Sequence, residues 1–246
     1  MVSPSNLLNG KVAVITGCNK GIGKAILESY AANGADIFAC VRKANNEFLE
    51  SAKQISEKYA VNVMPIYADL RNADEIKDAV KQIRESKKRV DILVNNAGTG
   101  YNALFQMSPL EKLKEVFDVN FIAPFLFTQY ITKLMVNQRS GNIINIASTA
   151  GTDVNPGQAI YGSSKAALIH LTNVIACELR EFGIRANSIA PGMTDTDMLK
   201  CLPTEVYTNR NEIAKPSEIA NTALFLASDL SAHITGQLIR VNGGLK

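Results

Sequence analysis

Between Lys11 and Asn95 the chain alternates four short apolar runs with three longer amphipathic segments, joined by brief turns. The runs are Lys11 to Thr16, Ala35 to Val41, Val61 to Ala68 and Val90 to Asn95, and the helical patterns between them include about 46–59 and 72–88. Strands joined through helices of this length pair in parallel, and each crossover packs back onto the sheet with a right-handed turn. The chain is thereby confined to the α/β class, with a doubly wound parallel sheet covered on both faces. Lys11-Val12-Ala13-Val14-Ile15-Thr16 is apolar without a polar face, so it reads as a strand buried on both sides at the centre of the sheet. The pattern continues with a helix from Pro109 through Phe121 to near Val136, strands at Asn142 to Ala147 and Gly183 to Ala190, a last helix from Pro216 and a last strand at Gln237 to Val241. With 246 residues, 46% of them hydrophobic, the chain can bury one sizeable core, so a single domain over 1–246 is expected.

Charge and side-chain chemistry exclude several functions. Lysine and arginine number 26 against 23 acidic residues, too small an excess to predict a nucleic-acid or membrane surface. The densest basic cluster, Lys87-Lys88-Arg89, falls at a helix end and reads as structural. Cys18, Cys40, Cys177 and Cys201 are far apart with no histidine at ligand spacing, so no metal site is expected, and His170 and His233 do not support a nucleophilic triad. Met1 to Gly10 lacks a signal-peptide pattern and no apolar run reaches membrane-spanning length; a cytoplasmic protein is expected.

The first strand ends in Gly17-Cys18-Asn19-Lys20-Gly21-Ile22-Gly23 and a helical pattern follows. Glycines at such a turn permit positive φ and close backbone approach, and a helix N-terminus offers free N–H groups to phosphate, so the turn reads as a dinucleotide cradle. Its Gly-x3-Gly-x-Gly spacing differs from Gly-x-Gly-x2-Gly. After the second strand an NAD site would place a carboxylate against the ribose. Arg42 and Lys43 stand there instead, and with Lys20 they favour a 2′-phosphate, hence NADP; the alternative is that these side chains point into solvent. Asp69-Leu70 closes the third strand, where Asp69 could bond an adenine amino group or cap the next helix. Asn96-Ala97-Gly98 closes the fourth, with residues small enough for backbone to lie against a flat ring or ribose.

Beyond these turns stand four further polar residues. Asn120 lies in apolar surroundings, either as a satisfied structural residue or as one that distorts its helix and holds a water by its backbone carbonyl. Ser148 follows the fifth strand at the edge where open parallel sheets bind ligands. Tyr161 and Lys165, four residues apart, share one helix face, which sets an ammonium beside a phenol and favours the phenolate; the same spacing also occurs on ordinary helix surfaces.

Taken together, Thr16-Gly17-x3-Gly21-Ile22-Gly23, Asn95-Asn96-Ala97-Gly98, Ser148, Tyr161-x3-Lys165 and Pro191-Gly192 resemble the short-chain dehydrogenase/reductase family over essentially the whole chain. The resemblance implies a Rossmann fold with seven parallel strands, a nicotinamide cofactor, a homotetramer and a catalytic set of Asn120, Ser148, Tyr161 and Lys165. In that set Tyr161 donates a proton to the carbonyl oxygen, Ser148 holds that oxygen, Lys165 bonds the nicotinamide ribose and keeps the phenol acidic, and Asn120 anchors a water. The cofactor would rest on Gly17, Asn19, Lys20, Gly21, Ile22, Gly23, Arg42, Asp69, Leu70, Asn96, Ala97, Gly98, Pro191 and Gly192, with Thr196 credited before Thr194. A polar segment at about 195–214 would form the substrate lid, with Met198, Leu199, Leu202 and Val206 able to face the substrate.

Within the family the chain is most similar to 3-oxoacyl-acyl-carrier-protein reductases, through Ile189-Ala190-Pro191-Gly192, Thr196-Asp197-Met198 and Val241-Asn242-Gly243-Gly244. That similarity implies NADPH-dependent reduction of a 3-oxoacyl thioester, with acyl-carrier protein as a partner. Arg139 matches one basic docking position, and Phe182 stands at the second. Two alternatives accompany this reading: an NADP-dependent reductase of a sugar or other small ketone, and a non-catalytic cofactor-binding sensor or scaffold.

Overall fold

The computed structural model describes residues 6–87, 89–200 and 213–244. Seven parallel strands, β1 (Val12–Thr16), β2 (Asp36–Val41), β3 (Val63–Tyr67), β4 (Ile92–Asn95), β5 (Gly141–Ile146), β6 (Ile184–Pro191) and β7 (Leu238–Val241), form one sheet in the order β3-β2-β1-β4-β5-β6-β7. The chain winds outward from β1 to β3, returns to β4 beside β1, and winds the other way to β7. The reversal between β1 and β4 opens a crevice at their C-terminal ends, where sheets of this kind bind ligands. The expected parallel sheet, its seven strands and the central place of β1 are all present.

β1 is buried along its whole length and divides its side chains between two cores. Ala13 and Ile15 pack on one face with Ile26, Leu27 and Tyr30 of α1 (Gly21–Ala32) and with Ile219 and Leu226 of a late helix, Pro216–Ala227. Val12 and Val14 point to the other face. There they join Ile76 and Ile83 of a helix at Ala73–Ser86 and Phe127, Ile131 and Met135 of a helix at Ala123–Gln138. Burying each such side chain contributes about 1.5–3 kcal/mol, which explains why this strand has no polar face.

The remaining helices, in chain order, are α2 (Asn46–Tyr59), α3 (Ala73–Ser86), α4 (Leu110–Phe117), α5 (Ala123–Gln138), α6 (Ala159–Leu179), α7 (Asp197–Lys200) and α8 (Pro216–Ala227). Lys87 pairs with Asp36 at 3.2 Å, and Arg89 pairs at 2.6 Å with Asp91, whose other oxygen accepts from the Val12 amide at 2.9 Å. These two cations thus tie loop ends to the sheet, as the structural reading anticipates; Lys88 lies outside the described residues. One expectation is corrected. α4 and α5 run on through a π-helical turn, and the continuous stretch Leu110–Gln138 is long and apolar enough to cross a membrane by length and composition. The intervening Asp118 and Asn120 hide this length from a search for unbroken apolar runs, and the buried side chains of the stretch pack against the sheet and α3.

Candidate active site

The glycine turn and the β4 turn are built against each other. Thr16 Oγ1 accepts from the Asn96 and Ala97 amides at 3.0 and 3.1 Å, while Asn96 Nδ2 donates to the Thr16 and Gly17 carbonyls at 2.9 and 3.0 Å. Gly17 has φ +67°, and a Cβ there would lie 2.8 Å from Ala97 Cα. At Gly23 a Cβ would lie 2.3 Å from the Gly17 carbonyl oxygen and 2.4 Å from Asn96 Nδ2. No side chain fits at either place. α1 then opens at Gly21 with no capping side chain and no acid in its first turn, so its leading N–H groups suit an anion. A backbone stripped of side chains beneath an uncapped helix N-terminus fits the pyrophosphate of a dinucleotide.

Thr196 covers this turn, since a Cβ at Gly21 would meet its Cγ2 at 3.1 Å. Thr194 is buried, donates its hydroxyl to the Gly192 carbonyl at 3.1 Å and bridges to Ala214. Pro191 ends β6, and the Gly192 amide donates to Val241 at 2.9 Å. Met198 of α7 reaches back to the β4 turn, where a Cβ at Gly100 would lie 3.6 Å from its sulfur, while Leu199 is buried. Cys201, Leu202, Val206 and lid positions 201–212 lie outside the described residues.

Two polar residues named for the adenosine end already have protein partners. Lys20 Nζ sits 3.0 Å from Asp197 Oδ2, so its charge is shared with α7, whereas Arg42 is exposed at the end of β2. Both Lys20 and Asp197 line a 330 Å³ cavity with Asn19, Lys24, Asn45 and Ser51. Asp69 does not cap the next helix; Asn72 does, accepting from the Asp74 and Glu75 amides. The Asp69 carboxylate instead accepts from Arg71 Nε at 3.0 Å and Nη2 at 2.5 Å, and this pairing holds its pKa down to about 2. Leu70, beside it, packs against the α3 core.

At the other end of the crevice Asn120, Ser148, Tyr161 and Lys165 converge from three elements. Tyr161 and Lys165 stand on the first turns of α6, and Ser148 follows β5, its Oγ accepting from the Ala150 amide at 3.2 Å. Lys165 is buried and donates through Nζ to the Ile146 carbonyl at 2.8 Å. Burial lowers its pKa to about 8. A Cβ on Gly98 would lie 3.4 Å from both Lys165 Nζ and Asn120 Oδ1, so the β4 turn touches the same cluster. The expected acidification of Tyr161 by Lys165 is corrected. Burial pushes the Tyr161 phenol above 10.0, and the hydrogen bond with Ser148 pulls it partly back. The Lys165 nitrogen is 5.9 Å from the ring centre and donates to the Ile146 carbonyl, and burial of the phenol outweighs it in setting the direction of the shift.

Asn120 is fully buried inside the π-helical turn Asp118–Ile122, which realises the helix distortion foreseen for it. Its Oδ1 accepts from the Thr99 amide at 2.8 Å, and its Nδ2 donates to the Thr99 carbonyl and to Ser164 Oγ, both at 3.0 Å. The side chain is thus satisfied by protein, which leaves any water-holding role to the backbone carbonyl. Thr16 and Ser164 are the residues that sequence reasoning passed over. Thr16 stood at the strand end before the first glycine, and Ser164 lay inside the quoted Tyr161-to-Lys165 stretch; a hydroxyl at each site was the available signal.

A doubly wound parallel sheet with this cradle and cluster at its switch point defines an oxidoreductase of the dinucleotide-binding class. The chain belongs to the short-chain dehydrogenase family, whose model matches residues 11–206. It is 38% identical over 244 residues to 3-oxoacyl-[acyl-carrier-protein] reductase FabG of Thermotoga maritima, covering 97% of this chain and 98% of that one. The reductase of the same name from Escherichia coli is 34% identical over 242 residues, covering 96% and 97%. Among solved structures, a putative NAD(P)-dependent gluconate 5-dehydrogenase from Beutenbergia cavernae, with bound NADP at low occupancy, superposes with a TM-score of 0.90 at 30% identity, covering 96% and 97%. A putative gluconate dehydrogenase from Agrobacterium tumefaciens gives 0.90 at 29% identity, covering 96% of each chain.

Proposed function

We propose that this protein reduces a ketone to a secondary alcohol with NADPH, and that the ketone is a 3-oxoacyl thioester. The observation that carries the reaction type is the convergence of Ser148, Tyr161, Lys165 and Asn120 beside the glycine cradle. The cradle of Gly17, Asn19, Lys20, Gly21, Ile22 and Gly23 would bind the pyrophosphate, with Thr196 closing over it. Asn96, Ala97, Gly98, Pro191 and Gly192 would support the nicotinamide half, Asp69 and Leu70 the adenine, and Arg42 with Lys20 the 2′-phosphate. Bound NADPH would supply the hydride.

Tyr161 Oη donates the proton that the developing alkoxide needs. Burial raises its pKa from the ordinary phenol range, so it holds its proton at neutral pH, which suits a general acid in the reducing direction. Ser148, whose hydrogen bond lowers the phenol's pKa, would turn its one hydroxyl proton to the carbonyl oxygen as negative charge develops there. Lys165, still cationic at pH 7 with a pKa of about 8, holds a ribose hydroxyl and supports that charge. Asn120 offers its backbone carbonyl to the water through which the proton is replaced.

The substrate assignment rests on full-length similarity to proteins named 3-oxoacyl-[acyl-carrier-protein] reductase. Acyl-carrier protein is the proposed partner, and the chain is proposed to act as a single-domain cytoplasmic homotetramer. Of the docking positions, Arg139 is exposed, though one guanidinium nitrogen donates to the Glu181 carbonyl at 2.8 Å. A sugar ketone is the second reading, favoured by structural neighbours named gluconate dehydrogenases. NADPH oxidation measured in parallel with acetoacetyl thioesters and keto-gluconates separates the two. Turnover of the thioester alone supports the proposal; turnover of the sugar acid alone replaces it.

A further inference from the structure

Asn120 and Tyr161 are joined by one buried side chain that belongs to neither the cradle nor the proposed catalytic set. Ser164 is fully buried on the second turn of α6, between Tyr161 and Lys165 in sequence. Its Oγ accepts from Asn120 Nδ2 at 3.0 Å and donates to the Tyr161 carbonyl at 2.7 Å. Asn120 in turn receives the Thr99 amide at 2.8 Å. The chain of donors runs one way only, from Thr99 N–H to Asn120 Oδ1, from Asn120 Nδ2 to Ser164 Oγ, and from Ser164 O–H to the Tyr161 carbonyl.

Direction matters because Asn120 has two amide orientations and only one satisfies this network. With Thr99 N–H pointing at it, the oxygen must face Thr99, so the amino group must find an acceptor on the opposite side. Among the described residues Ser164 Oγ is that acceptor besides the Thr99 carbonyl. A hydroxyl that accepts there must spend its own proton elsewhere, and the Tyr161 carbonyl takes it. Three turns are thereby tied together: the β4 turn at Thr99, the π-helical turn, and the α6 turn that carries the phenol and the ammonium.

We propose that Ser164 is a positioning residue for the proton relay, setting the orientation of Asn120 and the pose of its π-helical turn relative to Tyr161 and Lys165. The proposal rests on the reading of Asn120, Tyr161 and Lys165 as that relay. Ser164 is fully buried with its hydroxyl engaged by Asn120 and the Tyr161 carbonyl, so its loss is expected to act on kcat and to leave cofactor affinity in place. The π turn loses one of the buried bonds that hold its pose when the Ser164 hydroxyl goes.

The test compares Ser164→Ala with the parent enzyme, with Tyr161→Phe as the control for the relay itself. Ser164→Ala is expected to lower kcat about tenfold, the factor that one weakened hydrogen bond supplies. The KM for NADPH should stay within about twofold, because the cradle is untouched. The kcat–pH profile should be displaced from that of the parent, and amide exchange at Thr99 should quicken. In an Asn120→Ala background the same substitution should add nothing further, since both act through one network. Ser164→Cys keeps a weak donor and acceptor at the site and should fall between, and it carries the comparison if the alanine variant does not fold. An unchanged pH profile and unchanged Thr99 exchange in Ser164→Ala would overturn the proposal, as would additive losses in the double variant. Should Tyr161→Phe retain turnover, the relay reading fails instead, whatever Ser164 does.

Discussion

Lys165→Met separates the stability cost of the buried ammonium from its proposed function. Lysine ordinarily titrates near 10.5, and in the folded chain burial lowers this group to about 8. At about 1.4 kcal/mol for each tenfold change in protonation, the folded state gives up about 3 kcal/mol to keep Lys165 charged. Because the folded pKa is depressed, the unfolded chain binds the extra proton. The cost is present in full below about pH 8, fades as pH rises toward 10.5, and is gone above that value. Methionine matches the length of the lysine stem and carries no charge, but it leaves the Ile146 carbonyl without its donor at 2.8 Å, a loss of about 1–2 kcal/mol. The balance at pH 7 is a gain of about 1–2 kcal/mol, or a rise in Tm of about 2–8 °C for a chain of this length. Above about pH 10 only the lost hydrogen bond remains, and the variant should melt below the parent. Thermal unfolding by circular dichroism, without added cofactor, from pH 6 to 10.5 reads both arms. Parallel curves that never cross, or a variant less stable at pH 7, would refute the reasoning.

Three further outcomes follow from the site. Gly23→Ala should abolish NADPH binding in equilibrium fluorescence titration, because its Cβ would press to 2.3 Å from the Gly17 carbonyl and 2.4 Å from Asn96 Nδ2, which are fixed backbone and a bonded amide. Arg42→Ala should weaken NADPH about tenfold or more and leave NADH within about twofold, as loss of a charge-assisted phosphate contact requires; equal losses for both cofactors would remove Arg42 from the 2′-phosphate site. Asp91→Ala should destabilise the fold by about 3 kcal/mol in urea unfolding, since the Val12 amide and Arg89 both lose their buried partner.

The sheet was legible because its physical cause is local and repeated. A strand buried on both faces must be apolar throughout, and β1 writes that requirement into Val12 to Ile15. Gly17 and Gly23 were legible for a related reason: each is a position where no Cβ fits. What stayed hidden depends on partners distant in sequence. Nothing near Lys20 announces Asp197, and nothing near Asp69 decides between an adenine, a helix cap and the guanidinium two residues on. The direction of the Tyr161 shift was misread because spacing brings Lys165 to the same helix face, whereas burial of the phenol, which spacing does not reveal, sets the direction. The π-helical turn at Asn120 was anticipated only as a distortion, since its form depends on Thr99 and Ser164 closing around one amide.

The central claim is that Tyr161 is the acid of an NADPH-dependent ketone reduction. Single-turnover oxidation of pre-bound NADPH on mixing with an acetoacetyl thioester tests it most directly, in the parent and in Tyr161→Phe. The account predicts rapid oxidation in the parent and a loss of at least about a thousandfold in the variant, with NADPH affinity unchanged. Oxidation at a comparable rate in Tyr161→Phe would contradict it.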